Sequence, residues 1–283
     1  MLNVIYLSSI ILGVSVQNIF KRQYTDKTSG KGIFVFGGLV SLFAMLFFVV
    51  TSKNPNFNME FLPYSIGFAA AFGTTTLFSV LAVSCGSLSL TSLFTSYSLM
   101  IPTFYGLIFL NDPVSRGLIP GLLLLVISLI LTNKPEGKEK ISLKWIIFVF
   151  LAFVGNGMCS TVQKMQQIAF NGAYKNEFMI IALAIVTIFM LTFSLFTERK
   201  EIKIYVKSGW WLAILSGVIN GAINLFVMIL SGRIPVSLMF PLISAGGIII
   251  TYLISKFFYK EKLSKTQFAG FIIGIISVVF LNI

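Results

Sequence analysis

Ten stretches of about 20 apolar residues follow one another along this chain, and each is long enough to cross a bilayer as a helix. They cover residues 2–20, 33–51, 62–83, 88–110, 114–132, 145–170, 178–197, 209–230, 234–258 and 266–282. Membrane strands would be about half that length and would alternate in polarity. These runs do neither. The expected fold is therefore an all-α membrane protein with ten transmembrane helices. Composition agrees, with 57% hydrophobic residues, 11% charged and a mean hydropathy of +0.94. A soluble domain carries about 25% charged residues and could not bury this much apolar surface.

The second half of the chain repeats the first. Residues 109–121 align with residues 258–270, so that Asp112 falls on Glu261, Ser115 on Ser264, Arg116 on Lys265 and Gly121 on Gly270. A similar shift brings Gly73 close to Gly221, and Lys21 close to Lys164. A hydrophilic linker, residues 133–144, separates a first repeat at 1–132 from a second at 145–283. Five helices per half is an odd number, so the second half enters the membrane reversed. The expectation is two inverted five-helix repeats, an architecture that transporters use, with a binding site near mid-membrane at the repeat interface.

The formal net charge is +12, but the cations sit in short gaps between apolar runs and form no basic patch interleaved with aromatics. Nucleic acid is not an expected partner. The cations read instead as orientation signals and contacts for anionic lipid. One side collects Lys21, Arg22, Lys27 and Lys31, then Lys134, Lys138, Lys140 and Lys144, then Arg199, Lys200, Lys203 and Lys207, then Lys256, Lys260, Lys262 and Lys265. The other has Lys53, Arg116, Lys164, Lys175 and Arg233. The rich side belongs in the cytoplasm, so both termini are expected outside a cell membrane. The first run starts at Leu2 with no basic region before it and ends at Lys21-Arg22, which reads as a retained helix.

Two cysteines, Cys85 and Cys159, stand far apart, and histidine is absent. No disulfide, metal site or cofactor is expected. All nine carboxylates, Asp112 and Glu261 among them, lie at or beyond the ends of the runs. An intramembrane enzyme would need an acid/base or nucleophile/base pair inside the spans. The sequence offers none, so no catalytic residue is assigned.

Polar side chains inside spans are costly unless they face a partner or a cavity. Asn156, Ser160, Gln163 and Gln167 recur on one face of the sixth run. The first run carries Gln17, Asn18 and Lys21, the eighth Asn220 and Asn224, and the fourth Tyr97 among hydroxyls. Amides and hydroxyls also glue membrane helices together, so each of these has a packing reading beside the binding one. Lys21 and Lys164 can receive a carboxylate or phosphate, or snorkel to the interface from a helix end. Gly117 with Gly121, Gly217 with Gly221 and Gly270 with Gly274 are small-residue pairs suited to close helix packing.

Two five-helix repeats, and the stretch from Glu261 through Gly270 to Gly274 with its weaker copy from Asp112 to Gly121, resemble the ten-helix drug/metabolite transporter superfamily, closest to its EamA-like branch. A lysine ending the first helix of a repeat, here Lys21 and less firmly Lys164, adds to the likeness. The resemblance implies a central cavity lined by helices 1, 3, 4, 6, 8 and 9, the runs where polarity concentrates here. It also implies transport in place of catalysis. Many relatives begin with a cytoplasmic N-terminus, whereas the charges here say the opposite. Small four-helix relatives that exchange protons for cationic drugs need a carboxylate in the first helix; this chain has Gln17 and Asn18.

The expected function is alternating-access transport of a small polar metabolite, an amino acid or similar zwitterion, through a central cavity between the repeats. Its ligands are expected among Asn18, Lys21, Tyr97, Asn156, Gln163, Lys164, Asn220 and Asn224. The alternative is an organic cation such as a quaternary amine, held by an aromatic-lined cavity with Tyr97 and Tyr105. The expected partners are that small molecule and the lipid bilayer, with homodimerisation left open.

Overall fold

A computed structural model describes residues 2–57, 59–85, 91, 95, 97–114, 116–132, 142–257 and 264–281. Among these residues all regular structure is helical. The ten α-helices are α1 Leu2–Thr28, α2 Ile33–Thr51, α3 Leu62–Cys85, α4 Met100–Phe109, α5 Leu118–Thr132, α6 Leu143–Ala169, α7 Lys175–Thr197, α8 Ile202–Ser231, α9 Val236–Phe257 and α10 Lys265–Leu281. Short 3-10 turns, Met59–Phe61 and Tyr97–Leu99, lead into α3 and α4. Six segments are long and apolar enough to cross a membrane: Leu2–Thr28, Ile33–Thr51, Met59–Ala82, Leu143–Ala169, Lys175–Thr197 and Ile202–Ser231. Most of the linker, and Glu261, lie outside the described residues.

Helices outrun their apolar stretches where charge begins. α1 continues through Lys21, Arg22 and Lys27, and α8 starts at Ile202, ahead of Lys203 and Lys207. Helical hydrogen bonding satisfies the backbone in hydrocarbon and in the headgroup region alike. Side-chain polarity marks the lipid boundary, not the helix end. The 30 residues of α8 measure about 45 Å, against a hydrocarbon core of about 30 Å. The stretch from Trp211 to Ser231 measures about 30 Å by itself.

Two compact units make up the chain. One comprises Met1–Gly73 and Val162–Gly232, the other Thr74–Thr161 and Arg233–Ile283. Each draws on both halves of the sequence, and α3 and α6 are divided between them.

In the first unit α1 runs antiparallel to α8, with Tyr24 against Gly209, Gln17 against Ser216, Gly13 against Ile223 and Tyr6 against Phe226. α8 runs parallel to α2, with Gly217 on Val40 and Gly221 on Phe47. A Cβ at Gly217 would stand 2.7 Å from the Val40 carbonyl oxygen, so the helices meet backbone to backbone there. This gives the Gly217/Gly221 pair the packing role expected of small residues in membrane helices.

In the second unit α5 lies antiparallel along α10. Ser128 Oγ donates to the Gly270 carbonyl at 2.6 Å, and Ser277 Oγ donates to the Gly121 carbonyl at 2.8 Å. A Cβ on Gly117 would strike the Phe280 main chain.

Two helix starts take their acceptor from far away in sequence, and a third lends its carboxylate to a distant backbone N–H. Gly32 precedes α2 with φ 72° and supplies no side-chain cap. The first-turn N–H groups of Phe34 and Val35 donate instead to the Glu198 carboxylate at 3.1 and 2.9 Å. At α9 the Ser237 N–H donates to Asp112 Oδ2 at 3.0 Å. Glu177, in the first turn of α7, accepts from the Asn56 N–H at 3.2 Å. An orphaned N–H in an apolar setting is costly, and a carboxylate at a helix N-terminus also meets the positive end of the dipole.

Candidate functional site

The first unit holds a directional chain of amides. Asn224 Nδ2 donates to the Asn220 main-chain carbonyl at 2.9 Å, which fixes which side of that amide is nitrogen. The same nitrogen donates to Asn220 Oδ1 at 3.0 Å. Asn224 Oδ1 therefore faces Gln163 and receives Gln163 Nε2 at 2.7 Å. Positions 220 and 224 are one turn apart on α8, so their side chains meet. Gln163 reaches them from the last third of α6 and is buried, while both asparagines are half-buried. Met179 of α7 closes one side, its Sδ 3.7 Å from Gln163 Nε2.

The same unit holds other polar groups. Gln17 Nε2 donates to the Ser216 carbonyl at 2.8 Å. Ser216 Oγ, Thr187 Oγ1 and Gln167 Oε1 are buried with no hydrogen-bond partner among the described residues. Such atoms in a folded protein ordinarily find a water or a ligand.

Lys164 points elsewhere. Its Nζ donates to the Ser231 carbonyl at 2.5 Å, at the C-terminus of α8 where a cation is favoured. Lys21 and Asn18 are exposed on α1. Of the eight residues expected at the site, the structure joins Gln163, Asn220 and Asn224 by hydrogen bonds. Lys164 is tied to a helix end.

Tyr97 and Asn156 belong to the second unit. Asn156 Nδ2 donates to Ser98 Oγ at 2.5 Å and to the Thr95 carbonyl at 3.4 Å. Its amide nitrogen already has protein acceptors. Tyr97 Oη donates to the Val126 carbonyl at 3.2 Å. Its ring lines a cavity of about 10 Å³ with Met100, Leu122, Leu125 and Pro241, room for about one water molecule. A groove of about 430 Å³ on the first unit is lined by α7 alone, through Ile185, Ile188, Phe189, Thr192, Phe193 and Phe196. Its walls suit lipid contact better than a polar ligand.

Among the described residues no cluster of Cys, Asp or Glu could hold a metal ion.

Residues 143–283 match the model of the EamA-like transporter family. Residues 143–283 are an EamA-like transporter domain. A solved crystal structure, 12% identical, covers 99% of this chain and 98% of its own, with a TM-score of 0.78. At that identity it shows the shared fold alone. No curated protein matches the chain. As an EamA-like chain with long apolar helices, the protein is a membrane transporter and not an enzyme.

Several working residues of this EamA-like transporter gave little or no sign in its sequence. The acidic residue closing an apolar run, Asp112, is legible as a motif, but its partner at Ser237 is not. Glu198 reads as one more loop charge until α2 is placed beside α7. Ser98, the partner of Asn156, is one hydroxyl among several.

Proposed function

We propose that this EamA-like transporter moves a small polar metabolite, an amino acid or similar zwitterion, by alternating access, with the Gln163–Asn224–Asn220 amide chain as the core of its binding site. The observation that carries the reading is the polarity of that chain. Every internal bond is donated in one direction, so the chain ends in an acceptor, Gln163 Oε1, and a donor, Asn220 Nδ2. An ammonium needs the first and a carboxylate needs the second. The unpartnered Ser216 Oγ and Gln167 Oε1 add neutral groups of the same kind. Neutral dipoles bind a zwitterion without burying a net charge in the membrane.

The two halves are proposed to be inverted repeats. Ser128 and Ser277 stand as far apart in sequence as Gly121 and Gly270, and the two serines bond to the two glycines reciprocally. Reciprocal bonds between equivalent positions are what a two-fold axis produces, and the antiparallel course of α5 and α10 agrees with inversion. Both termini are proposed to be extracytoplasmic, following the excess of Lys and Arg at the α1–α2 and α7–α8 connections.

The organic-cation alternative rests on aromatic walls. Tyr105 stacks on Phe109 at 5.5 Å, and the Tyr97 ring faces a space of about 10 Å³.

A thermal-shift screen of purified protein against amino acids, quaternary amines, nucleosides and sugar phosphates tests the substrate class. A zwitterion at 100 times its Kd should add about 2.7 kcal/mol of apparent stability. The gain should vanish in Asn224→Ala. A shift produced by quaternary amines alone, or one that survives in Asn224→Ala, would place the binding chemistry elsewhere.

A further inference from the structure

The outer face of the α8 N-terminus goes beyond the transport reading. Lys203, Lys207, Trp211, Leu215 and Val218 recur at spacings of three and four, which puts them on one face of the helix. All five are exposed. Along about four turns this face changes from ammonium to indole to aliphatic side chain. Lys27, at the end of α1, adds a third exposed ammonium, with its Nζ 5.0 Å from the centre of the Trp211 ring. Lys27, Lys203 and Lys207 make no hydrogen bond or ion pair with the described residues. The connections around them, residues 21–31 and 198–207, hold eight cations against three acids. Two of those acids are engaged, Glu198 by the first turn of α2 and Glu201 by Tyr205 Oη.

We infer that this face binds the headgroup of an anionic phospholipid, with phosphate between Lys27, Lys203 and Lys207, the glycerol region against Trp211, and an acyl chain along Leu215 and Val218. Charge complementarity selects the occupant. Cβ atoms of residues at i and i+4 on a helix lie on the order of 6 Å apart, a spacing that one phosphate can bridge with two ammonium groups. Tryptophan at the headgroup level fixes the depth, and the 30 Å or so of α8 beyond Trp211 match the hydrocarbon core. A second copy of the chain is a poor occupant, since a two-fold contact through this face would set like cations against each other.

The test is quenching of tryptophan fluorescence after reconstitution with brominated lipid, comparing phosphatidylglycerol with phosphatidylcholine. The brominated anionic lipid should quench at a lower mole fraction, with each lysine contributing about a fivefold preference. In the triple variant Lys27→Gln, Lys203→Gln, Lys207→Gln the two lipids should quench equally. Raising salt on the unaltered protein should erode the same preference, which decides the matter should the variant misfold. Equal quenching by both lipids in the unaltered protein, or a preference that survives both salt and the triple variant, overturns the proposal. Loss of the preference on adding millimolar inorganic phosphate would assign the site to a free anion and overturn the lipid reading.

Discussion

The two ends of the first unit treat their cations in opposite ways. At one end, where α1 and α7 finish and α2 and α8 begin, Lys27, Lys203 and Lys207 project outward and make no bond with the described residues. At the other end, where α6 and α8 finish, Lys164 turns onto the Ser231 carbonyl and Lys175 onto the Gly172 carbonyl. That second end is closed by aromatics, with Phe61 stacked on Tyr174 at 5.6 Å and Phe170 edge-on to Tyr64 at 5.8 Å. A cation that caps helix carbonyls is part of the fold. A cation that spends no hydrogen bond on the described residues is available to the membrane surface. The positive-inside count therefore mixes two kinds of charge, and only the outward end carries the kind that orients a protein.

The largest expected effect comes from the turn at the outward end. Gly32 has φ 72°, and a Cβ there would collide with Tyr24 Oη and stand 2.6 Å from the Tyr205 ring. Gly32→Ala should cost on the order of 3 kcal/mol or more from backbone strain and overpacking together. Gly172, φ 78° at the other end, has only Lys175 Nζ within 3.3 Å and should cost about 1–2 kcal/mol as alanine. Denaturation in detergent compares them, and equal losses would break the picture of a tightly packed outward turn.

Next in size are the carboxylates that accept remote backbone N–H groups, Glu198 at the start of α2 and Glu177 at Asn56. Glu198→Ala leaves two N–H groups of α2 without an acceptor and should cost about 1–3 kcal/mol. Glu177→Ala, which loses one longer bond, should cost less. The reverse order of melting temperatures would show that Glu198 is not what starts α2.

Smaller still is the lysine contrast. Lys164→Met should lose roughly 0.5–1.5 kcal/mol, and Lys27→Met should stay within about 0.5 kcal/mol of the parent. If both changes are silent, the distinction between tied and outward cations fails. Single cysteines at positions 27 and 203 should change stability least of all. They should resist an impermeant thiol reagent added to intact cells, and ready labelling would reverse the proposed orientation.

Much of the fold was legible because lipid imposes a simple rule, one apolar run per helix. The run at 33–51 coincides with α2, Ile33–Thr51. The rule fails at charged ends, which is why α1 runs past Phe20 and α8 begins ahead of Gly209. The candidate site was legible in part for a related reason. Spacing puts Asn220 and Asn224 on one face of α8, and buried amides seek each other. It does not say that Gln163 meets them while Asn156, on the same helix, bonds to Ser98. That choice is made by packing between helices remote in sequence. Lys164 is the instructive case, since a lysine that meets a helix C-terminus has the same local sequence as one that meets a substrate.

Uptake into proteoliposomes tests the central claim most directly. The unaltered protein should carry the zwitterion that the thermal-shift screen selects. Asn224→Ala and Gln163→Ala should lose most of that transport while melting within a few degrees of the parent, whereas Asn156→Ala should show its effect in melting and keep the transport of its folded fraction. Normal uptake by folded Asn224→Ala and Gln163→Ala would contradict the account and leave the amide chain as structural glue.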